Sequence, residues 1–471
     1  MISTHQNGST ITLMLSARAI NPFDQQFRRT LDKAIAQVEA QRAQLNGVIV
    51  GFNADPAASQ ELEQLMALTP AQAADCLRAL GEYNALLRRL DNLGMPVIAT
   101  LSEGEVSGHA LGLALACHRR IALQDSTFSM PQVRQGLAPL AGEIARTVRL
   151  TGMQAAIPLL VEGATWSAAQ AREAGLLHSV AADDTELAEQ VHAVVAAESA
   201  RRRIAQGTPD SSPAAATAPA MQQPWDAKGY KLPGGALNSP ALQTLLQVAP
   251  AMLREKTGGH YPAPEAILCA MVEGLQVDFD SALLIESRYF CQTAIHPVAR
   301  NLMRVSQLRS DPAYAGVAEF SAAVRAAYDD EIRQLRADGV SNALLRNAAR
   351  AAGMGKLPPA DADAGAAAAA ATPASLPLPA VRDRLLYAQA IAALASVGRG
   401  VPDSVDDADL ASIAACGFPS YTGGAIAFAR HIGLGAFARR AAELGVRFSL
   451  PPRWEDIASQ QQSHPILSNI K

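Results

Sequence analysis

The run Leu101–Cys117 (LSEGEVSGHALGLALAC) constrains this chain more than any other stretch. Polar and glycine residues up to Ser107 give way to an almost unbroken apolar segment. That pattern predicts a loop feeding directly into a buried helix. Small residues crowd the entry of the predicted helix, where the first amide N–H groups have no partner within it. A helix buried on all sides needs a layered core around it. Gly112 stands in its middle.

The surroundings supply the layers. Ile11–Leu15, Gly47–Gly51 and Pro96–Thr100 are short apolar runs of strand length. Phe27–Ala40 and much of Glu61–Leu93 carry helical periodicity. Alternation of this kind predicts an α/β unit over residues 1–195, with helices covering a sheet. A linker rich in Ser, Pro and Ala is expected at 196–224, including the cluster Arg201–Arg203, read as a solvated helix end. A central helical region is expected at 225–310 and a pair of helices at 316–357. An Ala/Pro-rich linker follows at 358–379, then a last helical region at 380–450.

At 471 residues, 49% apolar and with a net charge of −4, the chain has material for several cores and no bias toward nucleic acid. No apolar run reaches the ~20 residues of a membrane span, and the first residues lack a signal-peptide pattern. A cytoplasmic protein is expected. The five cysteines, Cys76, Cys117, Cys269, Cys291 and Cys416, are far apart and are read as reduced thiols.

Ser107–Ala122, Phe128–Pro139 and Gly163–Leu177 together resemble the signatures of the crotonase superfamily, the enoyl-CoA hydratases and isomerases. Trp225–Gly235, Tyr261–Leu268 and Ile285–Phe290 resemble the central linker of the multifunctional fatty-acid oxidation proteins. Arg384–Gln389 and Gly417–Gly424 resemble the helical 3-hydroxyacyl-CoA dehydrogenase region of those proteins. The resemblance implies an α/β crotonase domain followed by an all-α linker and dehydrogenase-like helical domains. It implies an acyl-CoA as ligand or substrate, and a thiolase or a full-length paralogue as partner in a homo- or hetero-oligomer.

Two departures from the family pattern shape the functional expectation. Between Arg304 and Ala318 there is no room for a nucleotide-binding domain, since one βαβ unit alone takes ~30 residues. NAD is therefore not expected, and no other cofactor or metal is. Gly433–Ala438 matches G-x-G-x-x-A, but helix is expected before it rather than the strand that the fingerprint requires. Asp407 and Asp409 have metal-ligand spacing and are read as a helix N-cap. Gly417–Gly424 is read as a packing turn.

The second departure concerns acid–base chemistry. The resemblance places the family's two catalytic glutamates at Gly112 and Gln132. Glycine cannot titrate, and glutamine cannot accept a proton at neutral pH. The resemblance also places the two thioester-binding N–H groups at Ala54 and His109. The His109 side chain is expected to be poorly constrained. Glu143 is a candidate substitute base, although an exposed first-turn carboxylate offsetting the helix dipole is the expectation preferred here. Glu103 and Glu105 are read as loop charges. An acyl-CoA-binding protein impaired as a hydratase is the leading expectation. An isomerase, hydratase or thioesterase with a non-standard base, or a structural subunit of a β-oxidation complex, stand beside it.

Overall fold

The computed structural model describes residues 2–53, 61–102, 104–205, 221–309, 318–356 and 376–460. They form two compact units. The first takes the chain to Ala251 together with Pro262–His296, and the second takes Met252–Tyr261 and the chain from Pro297 onward.

A six-stranded sheet organises the first unit. β1 (Ile2–Asn7) pairs antiparallel with β2 (Thr10–Ser16). β3 (Gly47–Asn53), β4 (Val97–Leu101), β6 (Arg119–Leu123) and β9 (Ser179–Ala181) then follow in parallel. Parallel strands need crossovers. α1 (Gln25–Ala40) supplies the first, and α2 (Glu61–Met66) with α3 (Ala73–Asp91) the second. β5 (Glu105–Ser107), β7 (Thr127–Ser129) and β8 (Thr165–Ser167) make a smaller sheet. The connection from β4 to β6 runs through β5 and then α4 (Gly108–Leu115), whose residues from Ala110 onward are buried. α5 (Glu143–Thr151), α6 (Met153–Leu160), α7 (Ala168–Glu173) and α8 (Asp184–Ala205) complete the α/β part.

Three boundaries and one loop assignment differ from the sequence expectations. α8 continues to Ala205, so residues 196–205 are helix rather than linker. Gln223, inside the expected linker, is buried and its amide donates to Asp91 Oδ1 at 3.1 Å. The expected central region 225–310 does not form one body. After α9 (Pro240–Thr257), α10 (Pro262–Gly274) and α11 (Phe279–Ala294) belong to the first unit, and α12 (Pro297–Arg309) belongs to the second. Glu105 lies on a strand, where it accepts from Ser129 Oγ at 2.9 Å. Glu103 lies outside the described residues.

α10 and α11 are held to the α/β part by polar and aromatic contacts. Asn84 Nδ2 donates to Ser287 Oγ at 3.2 Å, and Ala138 N–H donates to Thr293 Oγ1 at 3.0 Å. The Phe279 ring stacks on Trp225 at 4.8 Å. Three guanidinium groups, those of Arg88, Arg146 and Arg149, lie 4.8, 5.2 and 5.3 Å from the centre of the same ring. Delocalised, weakly hydrated cations suit such an aromatic face. Cys76 on α3 and Cys291 on α11 are free, buried thiols whose Sγ atoms lie 2.8 Å apart, a meeting invisible in sequence.

The described second unit is helical. α13 (Ala318–Ala337), α14 (Asn342–Ala351), α15 (Leu378–Gly398), α16 (Val405–Ala414), α17 (Ala427–Ile432), α18 (Leu434–Leu444) and α19 (Trp454–Ser459) surround one core, with Tyr387 of α15 stacked on Phe437. Gly433 follows helix α17, as the argument against a nucleotide fingerprint requires. The expected N-cap role of Asp407 and Asp409 is corrected: Ser404 caps α16. Asp409 is fully buried and caps the start of α17 instead, accepting from Ile426 N–H at 2.8 Å and Ala427 N–H at 2.9 Å. Arg304 and Arg430 balance its charge. Among the described residues no group of His, Cys, Asp or Glu is arranged to hold a metal. No described helix is long and apolar enough to cross a membrane.

Candidate functional site

The site forms where α4 begins. Ser107 is extended and gives no side-chain cap, and Gly108 takes a φ of +54° that turns the chain into the helix. The leading amides of a helix have no partner within it and carry the positive end of its dipole. The start of α4, with the His109 N–H in its first turn, is thus an anion-stabilising element. Ala54, expected to supply a second N–H, lies outside the described residues.

Glu143 overturns the preferred sequence reading. It opens α5, yet its side chain is only 1% exposed and turns inward. Oε1 lies 2.8 Å from Nδ1 of His109. Oε2 accepts from Gln132 Nε2 at 2.8 Å and from Leu140 N–H at 3.1 Å. The carboxylate also rests against Gly112. A Cβ built on Gly112 would come within 2.6 Å of Glu143 Oε1 and 2.7 Å of its Cγ. Glycine at 112 is therefore the condition for Glu143 to lie where it does.

A different residue caps the start of α5. Glu286, from α11, accepts from Gly142 N–H at 2.9 Å, Ile144 N–H at 3.2 Å and Ala145 N–H at 3.0 Å. Burial pushes its carboxyl up to about 8, against the pull of those amides. Glu286 thus satisfies the leading amides of α5, and Glu143 is not needed at that helix end. Behind the first turn, Arg146 pairs with Asp91 at 2.7 Å, and neither side chain is exposed.

His109 is likewise corrected. The side chain expected to be poorly constrained is clamped through both ring nitrogens, with Nε2 2.6 Å from Oε1 of Glu61. Burial alone would strip the proton from this ring. The charges of Glu61 and Glu143 outweigh burial and hold the imidazole protonated well above its ordinary range. A protonated ring donates from both nitrogens, so both contacts are charge-assisted hydrogen bonds. Glu61 was missed in sequence. It stands at the start of a two-turn helix with no motif around it, 48 residues from His109.

Gln132, on a single 3-10 turn at Pro131–Gln135, is buried beside Glu143. Only its NH2 can face a carboxylate, which fixes its orientation. Among the described residues its Oε1 has no hydrogen-bond partner, and neither does the hydroxyl of Tyr83, buried nearby on α3. Burial, and next the charge of Glu143, keep that phenol protonated. The site thus brings together Gly112, Gln132, Glu143 and His109 of the residues singled out in sequence, and adds Glu61 and Tyr83. Chemically it offers one buried carboxylate, an imidazolium bonded to it, and a helix N-terminus able to stabilise a developing oxyanion.

A family model described as enoyl-CoA hydratase/isomerase matches residues 5–223. Solved structures similar to this chain include an enoyl-CoA hydratase from Polaromonas sp. JS666, at 22% identity, covering 44% of this chain and 85% of that one with a TM-score of 0.35. An enoyl-CoA hydratase from Bacillus halodurans is 18% identical, covering 61% and 98%, with a TM-score of 0.37. An enoyl-CoA hydratase/isomerase from Pseudoalteromonas atlantica T6c is 16% identical, covering 67% and 99%, with a TM-score of 0.40. The N-terminal region of this chain, residues 5–223, is a crotonase-type domain of the enoyl-CoA hydratase/isomerase family.

Proposed function

We propose that this domain binds the thioester of an enoyl-CoA at the start of α4 and shifts its double bond, with Glu143 as the single acid–base group. The observation that carries this reading is the Glu143 carboxylate lying over Gly112, where the family pattern would put a catalytic side chain. Glu143 takes a proton from C2 of a 3-enoyl thioester. The C–H electron pair moves into conjugation, and charge develops on the thioester oxygen facing the N–H groups of α4. Glu143 then returns the proton to C4, which leaves the double bond between C2 and C3. One carboxylate suffices, because the proton taken is the proton returned. Hydration fits less well, because Gln132 can hold a water but cannot take its proton.

A second reading is binding without turnover. It is favoured by the burial of Glu143 and by the three hydrogen bonds that occupy its oxygens. A setting in fatty-acid oxidation, with a thiolase or a full-length paralogue as partner, rests on the sequence resemblance of the later segments, as does the dehydrogenase-like character of the helical unit. The short sequence span from Arg304 to Ala318 is the ground for proposing no NAD-linked dehydrogenation.

The purified full chain should be given a panel of 2-enoyl- and 3-enoyl-CoA esters while formation of the conjugated thioester is followed, with a saturated acyl-CoA titrated in parallel by calorimetry. Turnover of 3-enoyl esters together with acyl-CoA binding is expected. Binding without turnover would establish the second reading, and absence of binding would leave a structural subunit.

A further inference from the structure

Glu61 has no assigned part in the one-carboxylate scheme, yet it holds the other side of the ring that holds Glu143. Three elements meet through this contact: α2 through Glu61, α4 through His109 and α5 through Glu143. Side-chain exposure falls along the series, from 16% at Glu61 to 12% at His109 and 1% at Glu143. A lone imidazole beside one buried carboxylate gives it one N–H and could leave its other nitrogen bare or protonated. The second carboxylate removes that choice, since each ring nitrogen then faces an acceptor and is best served by carrying hydrogen.

Other charges on the elements around α4 are engaged elsewhere or solvated. Arg146 on α5 is paired with Asp91. Glu105 on β5 accepts from Ser129, and Arg18, on the 3-10 turn Ala17–Ala19, is exposed to solvent. Tyr83 on α3 contributes a neutral phenol. Glu61 and Glu143 are thus the carboxylates within hydrogen-bond distance of the imidazole among the described residues.

We propose that Glu61 is a positioning residue: by accepting from Nε2–H of His109 it fixes the ring with Nδ1–H toward Glu143, and so holds the Glu143 carboxylate over Gly112 in the geometry that moves the proton. This rests on the reading of Glu143 as the base. Glu61 itself touches no reacting atom. Its removal lets the ring shed its second proton and turn, so the charge-assisted bond to Glu143 weakens and the carboxylate loses its fixed orientation.

The test uses the full chain as wild type, Glu61→Gln and Glu61→Asp. The His109 imidazole is titrated by nitrogen NMR, and kcat and KM for a 3-enoyl-CoA are measured across pH. In Glu61→Gln the His109 midpoint is expected to fall toward its ordinary range. There kcat should drop on the order of 10²-fold with KM unchanged, and Glu61→Asp should restore part of both. A midpoint unmoved in Glu61→Gln overturns the proposal. So does a rise in kcat, which would mean that the pair blocks Glu143 rather than positions it. If the wild type itself shows no turnover while the midpoint still falls, the one-base reading has failed and the positioning role falls with it, although the ion pair stands.

Discussion

Gly112 and Glu143 occupy one space: a Cβ on the glycine would come within 3.0 Å of three atoms of the glutamate side chain. Read alone, glycine at this position is a loss of chemistry. Read with Glu143, it makes room for a carboxylate delivered from another helix.

This predicts a sign change between backgrounds. Gly112→Ala in the wild type should destabilise the protein by about 1–3 kcal/mol through overpacking. In a Glu143→Ala background the same change should be neutral or stabilising, because alanine favours helix by up to ~1 kcal/mol over glycine. Denaturant unfolding of the four proteins gives the coupling energy. Equal effects in both backgrounds would contradict the shared space.

The buried pair Arg146–Asp91 anchors α5 one turn behind Glu143. Arg146→Met leaves Asp91 with a poorly compensated buried charge, and breaking such a pair costs about 3–5 kcal/mol. The same variant should lower turnover, since α5 carries Glu143. Unchanged stability would show that Arg88 and Gln223, which also reach Asp91, compensate in full.

Acid should loosen the first unit through His118. Its Nδ1 accepts from Val97 N–H at 3.2 Å, and its Nε2 lies 3.0 Å from Asp91 O, an arrangement for a neutral ring. Burial pushes it down to about 4. The unfolded chain then binds the proton first. The stability contributed is present above ~6.5 and is lost as pH falls through about 4, up to about 3 kcal/mol in all. Unfolding midpoints from pH 7 to pH 4.5 should fall more steeply in the wild type than in His118→Gln. Parallel slopes would contradict this.

Glu286 should matter to α5 as a cap rather than as a base. Glu286→Ala leaves three buried amides without their acceptor, at a cost of at least about 2 kcal/mol. Hydrogen exchange at Gly142, Ile144 and Ala145 should accelerate selectively. Uniform acceleration across the unit would point to global unfolding instead.

Much of the first unit was legible in sequence. The strand runs at 11–15, 47–51 and 96–100 and the entry into α4 lie where their apolar patterns place them, because burial of a central parallel strand leaves a plain mark. Gly112 and Gln132 stood out in sequence, and both lie against Glu143. Glu143 was misread because a first-turn carboxylate has a ready explanation in the helix dipole. Only the packing shows that Glu286, more than 140 residues later, already caps that helix end and that Glu143 faces inward. Glu61 was illegible for a related reason: its partner is a side chain from another crossover, and contact between crossovers leaves no spacing in the sequence. The division after His296 was missed because helices of both units carry the same amphipathic signal.

The central claim is that Glu143 moves the proton. Incubating the full chain with a 3-enoyl-CoA and following the conjugated 2-enoyl product tests it most directly, wild type against Glu143→Gln. The account predicts turnover in the wild type and a loss on the order of 10²–10⁴-fold in the variant, with acyl-CoA affinity retained. Equal rates in the two proteins, or no product from either while acyl-CoA binds, would contradict it.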